Sequence, residues 1–165
     1  MSFKFRSIAL SAALFAAMPA FAADITVENA YARSAVPTSK TGAAFMQIVN
    51  HGGDDRLIGV SSPAAEIVQL HAHIETGDGV MQMMHVEGGF DLPADGTLSL
   101  ARGGKHVMMM GLTAPLVQDQ SVPVTLTFEK AGDMTVDIAV DLDRMPGDSS
   151  GQDMNHDMEH KKKAE

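Results

Sequence analysis

The sequence predicts an all-β protein, built as a β-sandwich or barrel. Short apolar-rich runs follow one another at regular spacing, Gly-, Asp- and Pro-containing segments separate them, and no segment after residue 24 shows a sustained 3.6-residue repeat. Short strands divided by turn signals in this way are typical of sandwiches and barrels.

Nine strands are predicted in order, each ending at a turn or breaker such as "GGDD", Pro63, "TGDG" or "AGD". Their ranges are 25–34, 43–51, 56–62, 66–75, 80–87, 97–101, 105–113, 122–130 and 134–142. The segment "GGFDLPADG", residues 88–96, is predicted to be a loop because it is rich in Gly, Pro and Asp.

The first 22 residues have the features of a secretory signal peptide. Lys4 and Arg6 precede a short apolar run, and the run ends in Ala20-Phe21-Ala22, an A-x-A cleavage site. The segment contains no Cys, so no lipid-anchored N-terminus is expected. We therefore expect an exported, periplasmic protein with no membrane span.

Two further segments follow the signal peptide. Residues 23–145 contain all the predicted strands and form one domain of ordinary size. Residues 146–165 have almost no aliphatic side chains, so this C-terminal tail, rich in His and Met, is expected to be disordered.

Composition excludes several classes of function. The chain has no Cys, which rules out thiolate metal sites, Cys nucleophiles and the Cys-dependent blue-copper site. A formal charge of −9 argues against nucleic acid or anionic lipid as a partner. We find no catalytic triad, nucleotide loop or paired carboxylates, so a monomeric binding protein is expected rather than an enzyme.

His and Met side chains concentrate on three predicted strands. By the two-residue repeat of a strand, His71 and His73 share a face, and Met83 lies on the face opposite to Met84. Along "KHVMMMGLT", Met108 shares the face of His106, whereas Met109 points the other way and is predicted to fill the core.

Copper is the metal that fits a combined His and Met site. A thioether is a soft ligand that selects Cu(I), and imidazole binds both oxidation states of copper. Zinc is a poorer match, because structural zinc sites usually use Cys and His. The residues alone therefore predict a Cu(I)-binding domain.

The same residues resemble the PCuAC-type periplasmic copper chaperones, whose pattern is a His, ten residues, a Met, twenty-one residues, then His-x-Met. Residues 25–142 carry the likeness, including "LPADGT", "GGKHVMMMGL" and "TGAAFMQIVN". Literal spacing selects His73, Met84, His106 and Met108. The residues that flank each candidate match the family better at His71 and Met83 than at His73 and Met84. We therefore prefer His71, Met83, His106 and Met108, with His73 and Met84 as alternates.

The resemblance implies a cupredoxin-like Greek-key β-sandwich. It also implies delivery of Cu(I) to the binuclear copper centre of cytochrome c oxidase subunit II, with a thiol-containing assembly protein as a further partner. The alternative is a periplasmic copper storage or resistance protein that buffers the metal without a dedicated recipient.

The tail offers a second candidate site. Its segment "DMNHDMEH" interleaves thioethers, imidazoles and carboxylates, at Met154, His156, Met158 and His160. Imidazole with carboxylate suits Cu(II), and thioethers suit Cu(I). The tail is therefore predicted to bind copper in either state, Cu(II) included.

Overall fold

The computed structural model describes residues 24–144 except residue 78, and within that part of the chain all regular structure is β-strand. The strands are β1 (Ile25–Ser34), β2 (Thr41–Asn50), β3 (Asp55–Ser61), β4 (Ala65–Thr76), β5 (Val80–His85), β6 (Phe90–Leu92), β7 (Thr97–Leu100), β8 (His106–Leu112), β9 (Ser121–Phe128) and β10 (Gly132–Val140). The all-β prediction is confirmed, and none of the described residues belongs to a helix able to cross a membrane. The predicted signal peptide and C-terminal tail lie outside the described residues.

The strands form one continuous hydrogen-bonded path in the order β5-β4-β8-β2-β1-β10-β9-β3-β6, with β7 added beside β2. All of its ladders are antiparallel except β1 with β10, which is parallel. The path curls until β3 lies against β4 and β6 against β7, which encloses the core.

One edge of strand β2 is shared by two partner strands. Its first half, from Thr41 to Ala44, pairs with β8, and its second half, from Met46 to Val49, pairs with β7. The other edge of β2 pairs with β1 along nearly its full length. Strand β8, and with it β4 and β5, is therefore held to the core through the first half of β2.

The core follows the two-residue repeat of the strands. Among its fully buried large side chains are Met46, Ile48, Leu57, Leu100, Met109, Leu126, Phe128 and Ile138. Burying a side chain of this size contributes about 1.5–3 kcal/mol each relative to leaving it exposed. Met109 is 0% exposed, which confirms its predicted place in the core.

One strand lies where the sequence predicted a loop. Phe90–Leu92 forms β6 and pairs with the start of β3, because Phe90 and Leu92 both point into the core. Gly89 makes the tight entry possible: its φ is +71°, and a Cβ there would clash with the Leu57 carbonyl. Three residues between Gly89 and Pro93 give too short a pattern to distinguish from a loop by sequence.

The carboxylate of Asp55 joins β3 to the turn between β9 and β10. It accepts hydrogen bonds from the backbone N–H groups of Arg56 at 2.7 Å, Lys130 at 3.0 Å and Ala131 at 2.9 Å. Burial alone would raise the pKa of Asp55, but these donors and the Lys130 charge lower that pKa below 3.8.

Replacing this carboxylate should destabilise the fold. We expect Asp55→Ala to lower the free energy of unfolding by about 1–2 kcal/mol, because hydrogen bonds to a charged group are lost. Urea unfolding at neutral pH measures the effect, and Asp137→Ala, at an exposed position of β10, is the control. The lowered pKa means that this contribution is present above pH 3.8 and disappears as the pH falls further. Equal stability of both variants at neutral pH would contradict this.

Candidate metal site

Three histidines form a row across β5, β4 and β8. His71 is paired directly with His85 on one side and with His106 on the other. Residues directly opposite each other in neighbouring strands point to the same face of a sheet. One face of this end of the sheet therefore presents three imidazoles in line.

The pairs of residues on either side of the His row contain the two methionine thioethers. Met83 lies opposite His73, and Met108 lies opposite Gln69. Because alternate residues of a strand share a face, these side chains project from the same face as the His row. We call it the His/Met face; its members are Gln69, His71, His73, Met83, His85, His106 and Met108.

The opposite face of the same strands belongs to the core. Leu70, Ala72, Val107 and Met109 are all buried there. Met84 pairs with Ala72 and therefore lies on the opposite side of the sheet from His71, although it is 45% exposed like the rest of β5. Of the two candidate methionines on β5, only Met83 shares the face of the histidines.

Exposure increases steadily across the His/Met face. His106 is only 3% exposed, the neighbouring His71, His73 and Met108 are half-buried, and Met83 on the outer strand is 48% exposed. A ligand on this face would thus be anchored at the β8 side and open to solvent at the β5 side.

The imidazole rings lie close to one another without forming a metal site by themselves. The ring centroid of His106 is 5.4 Å from that of His73 and 5.9 Å from that of His71, and the His71 ring is 5.9 Å from the His85 ring. In the described part of the chain, no three His, Asp or Glu side chains are placed so that they could hold a metal ion. The thioethers of Met83 and Met108 are the other potential metal ligands that project from this face.

Hydrogen bonds orient the rings. The carbonyl oxygen of Gly104 accepts from Nδ1 of His106 at 3.0 Å and from Nδ1 of His73 at 3.2 Å. Nε2 of His71 lies 3.1 Å from the amide oxygen of Gln69. Such partners keep an imidazole in one orientation and favour one tautomer.

A row of aromatic side chains continues from His106 across β2 to β1 on the same side of the sheet. Its ring lies 6.1 Å from the ring of Phe45, which is 5.1 Å from the ring of Tyr31. The guanidinium of Arg144 stacks 4.1 Å from the centre of the Tyr31 ring. The carbonyl of Arg144 accepts hydrogen bonds from Arg33 and Arg102, so the last described residue is held at the β1 end of this row.

The environment favours uncharged imidazole at two positions. Burial, assisted by the charges of His106 and His85, lowers the pKa of His71 below its ordinary value of 6.5. Burial also lowers the pKa of His106; the His73 charge adds to this effect, and the hydrogen bond to Gly104 opposes it. Both rings are therefore neutral at neutral pH and can donate a lone pair to a metal.

The structure brings together more residues than the sequence singled out. All four preferred candidates, His71, Met83, His106 and Met108, project from one face, and the alternate His73 is there as well. His85 and Gln69 were not among the candidates, because their positions depend on the pairing of strands far apart in sequence. The tail candidates Met154, His156, Met158 and His160 lie outside the described residues.

Solved structures share this architecture. A copper-bound PCuAC domain from PmoF2 is 28% identical, with a TM-score of 0.59, over 72% of this chain and 93% of that domain. The Cu(I) form of DR1885 from Deinococcus radiodurans is 32% identical, with a TM-score of 0.54, over 71% of this chain and 79% of that one. The predicted cupredoxin-like fold is thereby confirmed.

Sequence comparison gives the family. The LpqE-like family, described as "Putative lipoprotein LpqE-like", matches residues 25–140, which include every strand described above. A protein of Leifsonia xyli subsp. xyli named "Putative lipoprotein Lxx21020" is 38% identical over 117 residues, covering 70% of this chain and 69% of the relative. The chain belongs to the LpqE-like family.

Proposed function

We propose that this protein is a periplasmic copper chaperone that binds Cu(I) through His71, Met83, His106 and Met108. One observation carries the proposal: two imidazoles with lowered pKa and two thioethers project from the same face of three adjacent strands. The structural likeness to a copper-bound PCuAC domain and to Cu(I)-DR1885 supports the choice of metal.

The chemistry of the four side chains favours Cu(I) over other metals. Thioethers and neutral imidazoles carry no charge, so binding a monovalent ion leaves a single positive charge in a site that is partly exposed. Zinc usually takes Cys, His or carboxylate ligands, and no three His, Asp or Glu among the described residues are arranged to bind it.

His71 is preferred to His73 as the second imidazole because of its place in the row. It is directly opposite His106, and its row lies between that of Met83 and that of Met108. His73 is opposite Met83 and its ring is 5.4 Å from that of His106, so it remains the alternate ligand. Met84 is a poorer alternate because it lies on the other side of the sheet.

The exposure of the site supports transfer of the metal rather than permanent storage. Met83 is 48% exposed on β5, so an acceptor could approach the ion from the side of that strand. We propose the binuclear copper centre of cytochrome c oxidase as the acceptor, with a thiol-containing assembly protein as a further partner, on the resemblance to PCuAC-type chaperones. The predicted signal peptide and the family's description as lipoproteins support an exported location.

The two adjacent methionines of β5 provide a matched test of the ligand set. We expect Met83→Leu to weaken Cu(I) binding at least tenfold and Met84→Leu to leave it unchanged, because only Met83 shares the face of His71. A Met-to-Leu swap conserves volume and should cost less than ~1.5 kcal/mol of stability at either site. A competition titration with a chromophoric Cu(I) chelator measures the affinity. Equal affinities of the two variants would exclude Met83 as a ligand.

Protons should compete with copper only in acid. Because the pKa of His71 and of His106 lies below 6.5, Cu(I) affinity should stay constant down to that pH and fall at lower pH as the rings become protonated. The same competition titration, repeated across the pH range, tests this. Affinity that does not fall even at a pH where NMR shows both rings protonated in the metal-free protein would indicate a site made of thioethers alone, since those do not titrate.

Transfer distinguishes a chaperone from a storage protein. When the copper-loaded protein is mixed with an apo domain that carries a binuclear copper site, we expect the metal to move to the acceptor. The absorption spectrum of the acceptor reports its loading. If copper stays in place while the acceptor is in excess and has the higher affinity, the alternative of periplasmic storage is the correct one.

A further inference from the structure

The two imidazoles proposed as copper ligands have different hydrogen-bond partners on different ring atoms. Nε2 of His71 faces the amide oxygen of Gln69 at 3.1 Å, whereas Nδ1 of His106 faces the carbonyl oxygen of Gly104 at 3.0 Å. Both oxygens can only accept hydrogen bonds, so each facing nitrogen must carry the proton. The two rings are therefore opposite tautomers.

The other nitrogen of His71 is buried and has no partner. Its Nδ1 is one of two buried side-chain polar atoms in the described part of the chain for which no hydrogen bond is found. A neutral ring whose proton is on Nε2 has a free lone pair at Nδ1. A buried lone pair without a donor is unfavourable, and such a group in a native structure calls for an explanation, a bound ion being one.

We propose that Gln69 is a positioning residue that holds the proton of His71 on Nε2, so that His71 presents Nδ1 to the metal. The Gly104 carbonyl does the reverse for His106, which presents Nε2. The inference rests on the proposed Cu(I) site and deepens it, because it assigns the ligand atom of each histidine and gives Gln69 a role that its sequence position did not reveal.

The register explains why Gln69 can do this. It is two residues before His71 on β4, so both side chains project from the same face, and it lies directly opposite Met108 on β8. Gln69 is thus a neighbour of both an imidazole and a thioether that are proposed ligands. A metal-bound imidazole commonly donates its second N–H to such an oxygen, which fixes the ring and increases its basicity.

The assignment of the two tautomers also names the nitrogen atom that each ring would offer to the metal. Nδ1 is adjacent to the ring carbon that bears the Cβ atom, whereas Nε2 is at the far end of the ring. Copper bound on this face would be held by Nδ1 of His71 and by Nε2 of His106.

The tautomers can be measured on the metal-free protein. Long-range ¹H–¹⁵N correlation spectra of ¹⁵N-labelled protein, recorded at a pH where both rings are neutral, distinguish a protonated from a bare imidazole nitrogen. We expect the proton on Nε2 in His71 and on Nδ1 in His106. In Gln69→Leu, which has no acceptor, His71 should become a mixture of tautomers while His106 does not change.

Two variants serve as controls for a purely structural effect. Gln69→Glu keeps an acceptor oxygen and should keep the His71 proton on Nε2. Gln82→Leu removes an exposed amide from β5, where it lies opposite Ile74 on the other side of the sheet, and should change neither ring. Cu(I) affinity should fall about tenfold in Gln69→Leu and be restored in Gln69→Glu.

The outcomes separate this inference from the proposed function. A proton on Nδ1 of His71 in the native protein, or a His71 tautomer that Gln69→Leu leaves unchanged, would overturn the role of Gln69 while leaving a Cu(I) site on the His/Met face intact. Absence of Cu(I) binding by the native protein would instead refute the proposed function, whatever the tautomers.

Discussion

The pairing register of β4 with its two neighbours determines the whole candidate site. Placing His71 opposite both His85 and His106 aligns three imidazoles and sets the thioethers in the rows beside them. A slip of one residue in either ladder would reverse the faces of that strand, sending ligands into the core and core residues into solvent. Burial of Leu70 and Val107 on the opposite face makes such a slip costly, so the core holds the register that the site needs.

The presence of a core face and a ligand face on the same strand accounts for the run of three methionines in β8. Met109 is packed in the core, where its flexible side chain fills space, and Met108 and Met110 occupy the half-buried opposite face. Two properties of one residue type are therefore used side by side in the same strand: the shape of the side chain on one face and the lone pairs of its sulfur on the other.

The sequence predicted most of the fold because nine of the ten strands are short apolar-rich runs that end at clear turn signals. Strand β6 was missed because only Phe90 and Leu92 mark it, within a Gly- and Pro-rich segment. Strand periodicity also predicted that Met83 and Met84 lie on opposite faces, but only the pairing of β5 with β4 determines that Met83 is the one on the side of the histidines. It could not predict the contributions of His85, Gln69 or the Gly104 carbonyl, because those depend on how separate strands pair and on hydrogen bonds made across them.

The exposed edge strand β5 affects how the protein behaves at high concentration. This strand ends the sheet order, all six of its side chains are exposed, and its sequence "VMQMMH" contains no Lys, no Pro and no acidic residue. Natural proteins commonly protect such edges with those residues, since an unprotected edge can pair with another chain. The formal charge of −9 on the chain opposes such pairing by mutual repulsion. Because salt screens that repulsion, a higher ionic strength favours association through this edge.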